Sequence, residues 1–147
     1  MAVSAPLETL RWLQDAHAIL GWLSVAALVV GAVLLRASKH GRAAALVACS
    51  IATLTGALGG YLYYFYSHLL RRGIYLASMT HGRTFERKEH LAIAAIALAW
   101  TGALAHTGNL ERSSSRARFA QRAYVMAALL AAVVATMGWY VARFRSF

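Results

Sequence analysis

Uncharged apolar runs alternate along the chain with shorter charged stretches. Four runs stand out, Ala18 to Leu35, Ala43 to Ser67, Leu91 to Leu110 and Ala123 to Ala142. A helix rising about 1.5 Å per residue needs roughly 18 to 20 apolar residues to cross a hydrocarbon core of about 30 Å. Each run is therefore predicted to be a membrane-spanning helix. The third is the thinnest, because His106, Thr107, Gly108 and Asn109 leave a dense apolar stretch only from Leu91 to Ala105, which suits a short or tilted span. The first is too long for the apolar part of a secretory signal. Arg36-Ala37-Ser38-Lys39 offers no small-residue cleavage site, so this helix is expected to be kept.

The stretch Arg36 to Arg42 is so short that the first two helices must form an antiparallel hairpin. A Ser- and Arg-rich loop through Ser113-Ser114-Ser115 joins the last two. The longest connection, His68 to Glu89, mixes Ile74, Tyr75, Leu76, Met79 and Phe85 with basic residues, and part of it is expected to lie along the interface as a short amphipathic helix. The pattern predicts one all-α domain over residues 1–147. It is an antiparallel, up-down-up-down membrane four-helix bundle with helices at about 18–35, 43–67, 91–110 and 123–142.

Composition agrees with a membrane. The 147 residues are 60% apolar and 14% charged, against about half and about a quarter in soluble domains. A net charge of +10 would in a soluble chain prompt a search for a nucleic-acid face. Here twelve of the 15 Lys and Arg residues fall between the apolar runs, at Arg36, Lys39 and Arg42, at Arg71, Arg72, Arg83, Arg87 and Lys88, and at Arg112, Arg116, Arg118 and Arg122. They are placed to meet lipid headgroups, so the bilayer and not nucleic acid is the expected partner. In the first hairpin Arg11 precedes the span and Arg36, Lys39 and Arg42 follow it, which favours termini outside the cytoplasm. The single cysteine, Cys49, excludes an internal disulfide and a Cys-only metal site.

Lipid tails give helices no hydrophobic reason to associate, so packing is sought at small residues. Gly56 and Gly60 stand at GxxxG spacing with Gly59 beside them, and Ala27 and Gly31 repeat the spacing in the first run. Gly56 and Gly60 are expected in helix contact. Trp12, Trp22, the run Tyr61 to Tyr66, Trp139 and Tyr140 sit at run boundaries, as an interfacial aromatic belt would.

No acidic or basic residue lies deep in a run, which leaves histidine as candidate chemistry. With alternating helices His17, His68, His81 and His90 share one side, and His40 and His106 the other. At about 100° per residue the face of His17 continues through Gly21, Ser24, Leu28 and Gly31, and that of His90 through Ala94, Ala97 and Thr101. Two histidines at similar depth over faces lacking bulk suit the axial ligands of a haem b iron between helices. Two other readings use the same residues. Each histidine can be interfacial, bonded to a headgroup, a carbonyl, or Asp15, Glu86 or Glu89; or Glu86 and His90 with Asp15 and His17 can hold Zn²⁺ or Cu²⁺, although no HExxH, CxxC or ExxH spacing is present.

Asp15-Ala16-His17-Ala18-Ile19-Leu20-Gly21-Trp22 and Glu86-Arg87-Lys88-Glu89-His90-Leu91-Ala92, which open the first and third runs, resemble small bacterial four-helix membrane proteins related to membrane-anchored b-type cytochromes. The resemblance implies haem b on His17 and His90, an electron-transfer protein or the anchor of a redox complex, other membrane subunits as partners, and the bacterial inner membrane. The second class is a non-catalytic accessory subunit of a larger assembly. Other four-helix families lack their marks here: no glutamate inside the first run as in small multidrug exporters, no CxxC as in vitamin K epoxide reductase relatives, and no counterpart around Arg83 to His90 of the microsomal glutathione-transferase motif. Ser24, Ser50 and Cys49 have no base at matching depth for hydrolase chemistry, and no catalytic motif marks an enzyme.

Overall fold

A computed structural model describes residues 7–37, 41–107 and 114–142. They form five helices, α1 (Leu7–Ala37), α2 (Gly41–Leu69), α3 (Arg71–Ala77), α4 (Met79–Thr107) and α5 (Ser114–Ala142), with no strand among the described residues. Three contain stretches long and apolar enough to cross a membrane: Glu8–Leu35, Gly41–Leu69 and Ser115–Ala142. α4 is not one of these. Its first half carries Arg83, Glu86, Arg87, Lys88 and Glu89, and it is uncharged only from His90 onward.

The helices outrun the apolar runs because helix propensity does not stop where hydrophobicity does: Leu, Ala, Glu, Arg, Gln and Lys all favour helix. α1, α4 and α5 begin at Leu7, Met79 and Ser114, well before Ala18, Leu91 and Ala123. The expected middle loop is thus almost wholly helical. It is interrupted at Leu70 and at Ser78, whose extended backbone ends α3 and whose Oγ accepts the His81 backbone N–H at 3.4 Å, starting α4.

α1 packs against α2 and α5, α2 against α4, and α4 against α5, while α3 lies against α4 and α2. Gly31 meets Ala48, Ser24 meets Thr55 and His17 meets Gly59, so α1 and α2 run antiparallel. Small residues line the junctions. The main core consists of Leu28, Ala32, Leu35, Ala45, Ala48, Cys49, Ala99, Ala103, Ala127 and Ala128 around a single large ring, Tyr124. That ring is wholly buried between two glycines: a Cβ on Gly31 would stand 3.0 Å from its Cε1, and one on Gly102 2.6 Å from its Cδ2. Its hydroxyl donates to the Ala45 carbonyl at 2.6 Å and, having spent its proton, accepts the Cys49 thiol at 3.0 Å.

The glycines of α2 divide differently from the expected GxxxG pair. A Cβ on Gly56 would fall 2.5 Å from Ile96 Cδ1 of α4, and one on Gly59 2.8 Å from His17 Cε1 of α1, whereas Gly60 has nothing within 4 Å. Gly56 and Gly59, three apart, serve two neighbours, and Gly60 faces open space. Gly56→Leu and Gly59→Leu are each expected to lower the melting temperature in detergent, at about 1–3 kcal/mol for overpacking. Gly60→Leu is expected to leave it unchanged, and circular dichroism melts of the three variants check this.

Candidate functional site

His17 lies half-buried on α1 with its ring over Gly59 of α2. Further along this junction the Ser24 and Thr55 hydroxyls meet at 2.9 Å, and Ser24 donates to the Leu20 carbonyl at 2.8 Å. Such bonds hold helices where no water competes. The small face below His17 is therefore largely filled by the junction itself: Ser24, Leu28 and Gly31 are buried.

His90 is placed otherwise. It is exposed on α4, and since a carbonyl can only accept, its Nδ1–H donates to the Glu86 carbonyl at 2.9 Å. Ala94, Ala97 and Thr101, the small face beneath it, are exposed too; α4 turns Phe85, Lys88, Ala95, Ala99 and Ala103 inward instead. A helical wheel locates such a stripe but does not tell which way it points. α1 packs on α2 and α5, not closely on α4. His17 thus lies between α1 and α2, while His90 is exposed on α4.

The mixed carboxylate set is dispersed as well. Glu86 Oε1 accepts from Arg71 Nη2 at 2.8 Å, and Glu89 Oε1 stands 3.4 Å from Lys88 Nζ. A hydrogen bond from Tyr75, with the Arg71 guanidinium beside it, holds the Glu86 carboxyl below the usual carboxylate range. Among the described residues no group of three or more His, Cys, Asp or Glu side chains could hold a metal. Asp15 is exposed on α1, and His40 lies outside the described residues.

α3 and the first half of α4 build a polar and aromatic head that periodicity did not reveal. Tyr66 and Phe85 stack at 3.7 Å between centroids, with Tyr63 and Val141 packed around them. The buried Lys88 carries its ammonium 4.6 Å from the Phe85 centroid, its stem lying along apolar surface. His81 stacks on Tyr140 at 5.1 Å, tying α4 to α5. The tyrosine run is accordingly split: Tyr61 and Tyr64 are exposed as an interfacial belt requires, while Phe65 and Tyr66 are buried. The sequence hint was Phe85 among charges, an apolar ring needing a partner. Outside this head Arg83 and Arg87 remain exposed. No protein-family model, curated protein or solved structure matches the chain.

Proposed function

We propose that the chain is an integral membrane protein in which α1, α2, α4 and α5 cross the bilayer as an antiparallel four-helix bundle, serving as a non-catalytic structural or accessory subunit of a larger membrane assembly. The observation that carries this reading is the Tyr124 plug. A ring seated between Gly31 and Gly102, with its hydroxyl satisfied by Ala45 and Cys49, fills the junction of α1, α2, α4 and α5 toward the end where α2 begins. A bundle whose interior is filled by its own side chains leaves its outer faces for contact with other subunits. Support for α4 as a fourth span comes from its contacts: Ile96 lies on Gly56 of α2 and Gly102 on Tyr124 of α5, so its uncharged half runs beside two of the apolar helices. The setting that suits it is the bacterial inner membrane with the termini outside the cytoplasm, in accord with Arg11 before the first hairpin and Arg36, Lys39 and Arg42 within it.

The other reading, an electron-transfer protein or redox anchor with haem b on His17 and His90, has one observation in its favour. The Glu86 carbonyl holds the Nδ1–H of His90 and leaves Nε2 as the ligating nitrogen on an exposed side chain. A visible spectrum separates the two. Protein from a haem-replete host is expected to lack a Soret band; a band lost in both His17→Ala and His90→Ala but kept in His40→Ala would overturn the structural reading.

A further inference from the structure

We infer that the outward face of α4 binds an acidic phospholipid, its phosphate held by Arg83 and Arg87 and its acyl chains laid along the apolar stripe below. The inference rests on α4 crossing the bilayer. Arg83, Arg87 and His90 recur at helical spacing and are all exposed. The carboxylates that could neutralise them are already engaged, Glu86 by Arg71 and Tyr75 and Glu89 by Lys88. Two exposed guanidinium forks thus make no ion pair among the described residues, and such forks match phosphate oxygens better than any other side chain.

Below this group the same side of α4 exposes Ile93, Ala94, Ala97, Thr101 and Leu104. From Arg87 to Thr101 is about 20 Å at 1.5 Å per residue, close to the length of an acyl chain. Charge at the membrane edge followed by a shallow apolar track is complementary to a lipid with an anionic head, and less so to a zwitterionic one, whose ammonium the arginines would repel.

The test uses the whole chain in nanodiscs of equal phosphatidylglycerol and phosphatidylcholine, with retained lipid read by native mass spectrometry. Preferential retention of phosphatidylglycerol is expected. Arg83→Gln with Arg87→Gln should reduce the preference about 25-fold, at about fivefold for each basic side chain beside an anionic lipid. Arg118→Gln with Arg122→Gln removes the same charge from exposed positions on α5 and should retain the preference. Equal retention of both lipids by the unaltered chain, or equal losses in the two double variants, would overturn the site. Failure of the membrane reading itself shows separately, as release of the unaltered chain from membranes by alkaline carbonate.

Discussion

Tyr124→Ala is expected to destabilise the protein in detergent by about 2–4 kcal/mol, chiefly the cavity part of a large-to-small change, because lipid tails contribute no hydrophobic drive. The ring is the largest wholly buried side chain among the described residues. It contacts glycines on both sides, and alanines supply most of the surrounding core. Small side chains have no reach with which to refill the space, so the void persists unless the helices close in. Tyr124→Phe keeps the ring and removes only the donor to Ala45 and the acceptor for Cys49, at about 1 kcal/mol. Denaturant titrations followed by circular dichroism should rank the two in that order. Equal losses would show that the hydroxyl, and not the ring, holds the helices.

Gly41→Ala is expected to cost about 1–3 kcal/mol, the range of overpacking, despite adding one methyl group. That methyl would stand 2.7 Å from the Leu34 carbonyl oxygen and 2.8 Å from Leu35 Cα, both backbone, so no rotamer relieves it. No described glycine has a positive φ, so Gly41 is required here for close approach of α1 and not for a turn conformation. Gly82→Ala makes the useful contrast. It would meet the Tyr75 ring at 2.7 Å, but that ring belongs to a side chain that can swing away, and the loss should be smaller. Parallel melts of the two variants give the comparison.

Length and polarity alone make the apolar stretches of α1, α2 and α5 legible in the sequence. Lipid imposes one simple rule, and these segments obey it along their whole apolar length. The helical continuation through Leu7 to His17 and Met79 to His90 was hidden because charged residues read as loop when hydropathy is the only signal, although Arg, Lys and Glu are good helix formers. Tyr124 is one aromatic in an apolar run, and nothing in the pattern sets it apart. Ala120, Ala123, Ala127 and Ala128 around it were the available hint of a socket, a ring among residues too small to cover it. Gly56 was distinguishable as a packing residue; the choice between Gly59 and Gly60 depended on where α1 lies, which no periodicity in α2 encodes. The same limit applied to His90. Its small neighbours on α4 were visible, but their outward direction is decided by Phe85, Lys88, Ala95 and Ala99 filling the inner face.

That α4 is the fourth span is the claim on which the bundle and the lipid site both depend, and reporter fusions after Ser78 and after Ser114 test it most directly. The fusions should report opposite sides of the membrane, with Ser78 sharing the side of a fusion at Phe147. If Ser78 and Ser114 report the same side, α4 does not cross, and the four-helix membrane bundle is contradicted.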